Sequence, residues 1–175
     1  MNPPIINIAD LAFRPFGHGV KMPGAGEARD VYQAQIGAVG PLIGARLLGY
    51  NITVIAPGKR AFPLHNHRVN EEMFFILEGT GEVRIGEARH PIKVGDVIAC
   101  PPGGPETAHQ LCNTSDTDEL RFLAVSTRLS PEIAEYPETG RFGVLAELSP
   151  GADGKPNVFR YIGRPDGSLP YWEGE

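Results

Sequence analysis

From Leu47 onward, short runs of β-branched and aromatic residues alternate with Gly or Pro, and no sustained helical period appears before Ser130. Alternation with such frequent breaks marks an all-β chain. It predicts strands over 47–56, 72–79, 81–87, 90–94, 96–101, 109–113 and 119–127, which leaves only tight connections between them. Gly79-Thr80-Gly81 stands between two apolar runs as a hairpin turn would, and Val94-Gly95-Asp96 supplies a second reversal. A closed barrel or two-sheet structure follows, because closure hides strand edges.

The flanks differ from this region. Residues 1–46 carry Pro3-Pro4, Pro15, Pro23 and several glycines between short apolar pieces such as IINI and VYQAQI, and are read as an arm packing on a barrel of residues 47–127. Within 128–175, PEIAEYPETG is expected to begin a short helix, with Ser130 as N-cap and Pro131 at its first position, ending at Tyr136-Pro137. The tail beyond it holds the single Trp, Trp172, beside an acidic end. Either it crosses to a second subunit or it folds back on its own barrel. The whole is expected to form one structural domain.

Composition narrows the function classes. Lys+Arg 16 against Asp+Glu 21 gives a net charge of −5, which argues against a generally basic nucleic-acid binder. Hydrophobic residues at 41% and charged residues at 21% are ordinary for a globular domain. A domain of 175 residues buries roughly 70% of the surface its unfolded chain exposes, so folding requires no structural metal and any metal is expected to be functional. The two cysteines, Cys100 and Cys112, form no CxxC pair and are read as inert packing residues. The start MNPPIINIAD lacks the basic and apolar regions of a secretory signal, and no stretch approaches the ~20 apolar residues that span a bilayer. A cytoplasmic location without a membrane partner is expected.

The candidate chemistry lies in the β region. His65 and His67 are two apart, so on an extended strand both side chains point the same way. Glu72 follows beyond a polar turn that can return a carboxylate to that side, and a later strand brings His109. Imidazoles with one carboxylate suit divalent Fe, Mn, Zn, Ni or Co better than Mg or Ca.

In order, the chain reads Gly58-KRAFPL-His65-Asn66-His67-RVNE-Glu72-MFFILE-Gly79, then Gly95-DVIAC-Pro101-Pro102-Gly103-GPETA-His109-QLC-Asn113. This resembles the cupin family, whose two motifs are G-x5-H-x-H-x3,4-E-x6-G and G-x5-P-x-G-x2-H-x3-N. There are two departures: six residues separate Gly58 from His65, and five separate Gly103 from His109, which lengthens the loop delivering that histidine. The resemblance covers residues 47–127. It implies a double-stranded β-helix, or jelly roll, with one divalent transition metal held by His65, His67, Glu72 and His109. Parity favours Glu72 over Glu71, because Glu72, Phe74 and Ile76 share one strand face.

Four protein ligands leave one or two coordination positions for substrate, water or dioxygen. The function expected from the resemblance is a small metalloenzyme using its metal as a Lewis acid on a polar, oxygen-rich metabolite, in the manner of a sugar phosphate isomerase. The alternatives are an iron-dependent dioxygenase and a non-catalytic small-molecule-binding barrel. Lys59, Arg60, Arg121, Tyr50 and His90 are the residues considered for contact with the small-molecule substrate, and none stands out; Pro101–Pro105 is expected to form a stiff loop before His109. The resemblance also implies a homodimer, with the IINI arm and the tail as material for exchange.

Overall fold

The computed structural model describes residues 3–21, 26–150 and 157–174. Its elements in chain order are β1 (Arg14–Gly17), β2 (Gln33–Ala38), one helical turn α1 (Gly40–Ile43), β3 (Leu48–Ile55), β4 (Asn66–His67), β5 (Glu72–Glu78), β6 (Thr80–Ile85), β7 (Ala88–Lys93), β8 (Val97–Cys100), β9 (His109–Cys112), β10 (Leu120–Thr127), β11 (Glu132–Tyr136), β12 (Arg141–Leu148) and β13 (Asn157–Gly163). The strand pairings are antiparallel. Among the described residues no helix is long and apolar enough to cross a membrane.

The strands form a double-stranded β-helix. One wall is a six-stranded sheet in the order β1-β2-β3-β10-β5-β8. The other is built from β7-β6-β9 and β4-β11-β12-β13, joined where His65 and His109 pair as an antiparallel bridge. Inward positions of both walls meet in the core: Ile55, Phe74, Ile76, Leu120 and Phe122 from the larger sheet pack against Val83, Ile92 and Leu111. Apolar area removed from water at these positions is the main source of stability, at about 25 cal/mol per Å².

The seven strands predicted over 47–127 are present to within one or two residues at each end. Other expectations need correction. Gly79-Thr80-Gly81 is no hairpin turn: β5 pairs with β10 and β8, while β6 pairs with β7 and β9, so Gly79 is a corner where the chain passes between walls. Gly95 occupies the equivalent corner between β7 and β8. Within residues 1–46, read as an arm packing on the barrel, β1 and β2 extend its larger sheet, since β2 pairs along β3 and β1 along β2.

The helix expected after Ser130 is strand β11. Glu132, Ala134 and Tyr136 alternate with Ile133 and Glu135, and the neighbours β4 and β12 satisfy the backbone groups that a short helix would leave open. Ser130 caps no helix, and its Oγ accepts a hydrogen bond from the Glu147 amide at 2.8 Å. The tail returns on its own barrel as β13, which pairs with β12. Trp172 lies beyond it, exposed.

Candidate metal centre

Sheet register accounts for the convergence of the four candidate residues. His65 and His67 share a face by parity, and His109 lies directly across from His65, with its amide donating to the His65 carbonyl at 2.8 Å. Cross-strand partners point to the same side, so three imidazoles project from one wall. Glu72 comes from β5 on the opposite wall, on the same face as Phe74 and Ile76, and its outward neighbour Glu71 lies outside the group. One donor atom from each of His65, His67, Glu72 and His109 lies within 4.8 Å of the others.

The longer loop before His109 is absorbed by a single 3-10 turn, Pro105–Thr107, and His109 is 2% exposed. The Pro101–Pro105 loop braces β4: the Gly103 amide donates to the His67 carbonyl at 2.8 Å, and the Asn66 side chain donates to the Gly103 carbonyl at 2.9 Å. Asn113, the last motif residue, is buried and donates to the carbonyls of Ile55 and Asp118, pinning the connection from β9 to β10.

Outward partners orient the rings. His65 donates its Nδ1–H to the Pro63 carbonyl at 2.8 Å, and the His109 Nδ1–H points at the Thr107 carbonyl at 3.4 Å. On the far side His109 Nε2 lies 3.0 Å and His67 Nε2 3.6 Å from Glu72 Oε2. His67 Nδ1 faces Glu132 Oε2 at 3.7 Å. His65 and His109 thus commit Nδ1 to a backbone carbonyl and turn Nε2 to the centre of the cluster, whereas His67 Nδ1 faces the Glu132 carboxylate without a hydrogen bond.

Two observations show that these residues fit a metal. Both ring nitrogens of His67 are buried without a hydrogen-bond partner among the described residues, a costly state that a cation would relieve. The donor set, three neutral-capable imidazoles and one carboxylate, matches a divalent transition metal. Burial, reinforced by the other two imidazoles, pushes the His65 pKa down to about 4, so its lone pair is free at neutral pH. Burial would raise the Glu72 pKa, but the imidazoles of His109 and His67 outweigh it and hold the carboxyl well below the usual range. Burial opposes charge on His67 too, and there the Glu72 and Glu132 carboxylates prevail and raise its pKa.

A chamber of about 890 Å³ opens from this cluster, with His67 and Glu72 in its wall. Its other walls come from the end of β10, from β11 and from the β12–β13 hairpin. None of Lys59, Arg60, Arg121, Tyr50 and His90 lines it. Lys59 pairs with Asp30 at 3.0 Å, Arg121 with Glu78 at 3.4 Å, and His90 sits exposed on β7. The chamber residues that sequence reasoning missed are Glu132, Tyr136 and Arg160. No period-two alternation marks EIAEY (132–136), FGVLAEL (142–148) or NVFRYIG (157–163), so nothing local in the sequence signalled them, and at β11 a plausible helix start pointed the other way.

Residues 51–126 match the family model described as Cupin domain. The chain carries a cupin domain. A solved cupin-superfamily structure from Silicibacter pomeroyi, named sugar phosphate isomerase, is 26% identical with a TM-score of 0.72, over 94% of this chain and 95% of that one. A putative sugar phosphate isomerase from Acidithiobacillus ferrooxidans is 25% identical with a TM-score of 0.60, over 73% of this chain and 76% of that one. An uncharacterized protein of Methanocaldococcus jannaschii is 36% identical over 63 residues, which span 36% of this chain and 47% of that relative's length. The cupin domain holds all four clustered residues, whereas β11–β13 lie beyond its matched boundary.

Proposed function

We propose that this protein is a metal-dependent enzyme acting on an oxygen-rich small metabolite, in a reaction of the sugar phosphate isomerase type. The observation that carries the reading is that His67 and Glu72 belong both to the four-donor cluster and to the chamber wall, so a ligand in the chamber reaches the ion site. His65, His67, Glu72 and His109 would hold the ion. Bound there, a divalent cation polarises a substrate oxygen and acidifies the adjoining C–H.

The chain's own residues prepare that chemistry. Neutral His65, its Nδ1–H committed to Pro63, offers Nε2 without releasing a proton. Glu72 is already ionised and acceptor-only. The β11–β13 sheet walls the chamber and limits water around the reacting end of a ligand. The likeness to the Silicibacter pomeroyi structure supports the isomerase type.

Elemental analysis of the purified protein, paired with turnover assays on a panel of oxygen-rich metabolites, tests the reading. One transition metal per chain is expected, with turnover sustained by manganese or zinc without oxygen. Turnover that needs ferrous iron and ceases under anaerobiosis replaces the isomerase with a dioxygenase; a metal-free protein removes both. We also propose a homodimer, for which the outer edge of β1, unpaired among the described residues, is available, with sedimentation as its test.

A further inference from the structure

The register of the β4-β11-β12-β13 sheet fixes which side chains face the cluster. His67 lies beside Ala134, Ala134 beside Gly143, and Gly143 beside Ile162; one row along, Glu132 lies beside Leu145 and Leu145 beside Arg160. Members of a row share a face, so the surface leading away from His67 is apolar, made by Ala134, Leu145, Val158 and Ile162. Its charges are mostly committed. Glu132 is used by the amides of residues 68–70, and Glu147 is paired with Arg128 at 2.7 Å. Arg160 has no carboxylate partner among the described residues, and it lines the same chamber from β13.

We propose that the chamber takes an amphipathic organic acid: an oxygen-bearing head at His67 and Glu72, an apolar body along Ala134, Leu145 and Ile162, and an anionic end on the Arg160 guanidinium. The placement of the head rests on the metal-enzyme reading above and narrows it: the isomerase type of reaction is kept, the oxygen-rich part of the substrate is the head alone, and sugar phosphates themselves are not the substrates. The body and the anionic end rest on the sheet alone. From β4 to β13 is three strand spacings, about 14 Å across the sheet, so a ligand meeting both ends is extended rather than compact. A polyol phosphate would set its hydroxyls against Ala, Leu, Val and Ile, where nothing replaces their bonds to water. An apolar body gains from that same surface. Gly143 keeps the middle of the floor open. A Cβ there would meet nothing closer than 3.6 Å, so a larger residue is accommodated by the sheet yet fills the chamber.

The test uses the full-length, metal-loaded protein with anilinonaphthalene sulfonate, an apolar body bearing one anion, as a fluorescent probe. It is displaced by straight-chain ω-hydroxy carboxylic acids of increasing length, which carry the head oxygen and the anion at opposite ends, or by a pentose and a hexose phosphate. The expected result is saturable probe binding, with acid affinity rising roughly fourfold per added methylene, and sugar phosphates failing to compete at a hundredfold higher concentration. Arg160→Gln should weaken every acid about tenfold, and Gly143→Val should erase the dependence on length; both should keep full metal content and the wild-type circular dichroism spectrum. Absence of saturable probe binding, a flat length series, competition by sugar phosphates equal to that of the acids, or unchanged affinity in Arg160→Gln overturns the proposal. Full metal loading with a flat length series sinks this inference and spares the metal reading. A length series that persists in a protein unable to bind metal does the reverse.

Discussion

Glu132 concentrates several functions in one carboxylate. It is 7% exposed and accepts hydrogen bonds from the amides of Arg68, Val69, Asn70 and Ile133 at 2.8–3.2 Å, together with the Asn70 side chain. The same group faces His67 Nδ1. Glu132→Gln keeps the volume but turns an NH2 toward these donors, leaving some of them unpaired. Metal affinity measured by chelator competition should fall about 10–100-fold with the fold intact; unchanged affinity would mean that Glu132 only braces the loop. His67→Ala should lose most of the metal by elemental analysis, since the remaining donors form an incomplete shell. The cysteines behave as the sequence suggested. Burial, followed by the nearby Glu72 charge, pushes the Cys100 thiol up to about 12, and burial raises Cys112 as well. Both shifts favour the protonated thiol, so alkylation at pH 8 should be slow in the native protein and rapid once it is denatured.

Strand identity was readable wherever alternation and punctuation agreed, as in β5, where Glu72, Phe74 and Ile76 face inward. Strand partnership was not. The glycine corner at 79 looks locally like a hairpin, yet its role is set by which wall each flanking strand joins. Gly79 has φ +80°, and a Cβ there would collide with the Glu119 carbonyl oxygen. Gly79→Ala should therefore cost about 2–3 kcal/mol, read as a lower urea midpoint at unchanged slope. β11 is the opposite case: Ser130-Pro131-Glu132 carries a genuine helix-start pattern, and pairing with β4 and β12 overrides it. Such an override leaves no trace in a short window of sequence.

For the molecule as a whole, the core of Ile55, Ile76, Leu120 and Phe122 is built from apolar side chains and includes none of the four donors, so removal of the metal should leave the barrel folded. Chelator-stripped protein should keep its far-ultraviolet circular dichroism. Adding metal at about a thousand times its Kd should then raise the melting temperature by about 10 °C. Loss of the folded signal on stripping would make the ion structural. Residue spacing set the all-β character and the central strands, because parity and short loops act over a few positions, and the group His65, His67, Glu72 and His109 was legible through the resemblance of its two motifs to those of cupins. The chamber's far wall, the grip of Glu132 on residues 68–70 and the placing of Arg160 opposite the cluster came from folding itself. These contacts join segments sixty or more positions apart, and hydrogen-bonded register between distant strands depends on the whole barrel closing rather than on any local run of side chains.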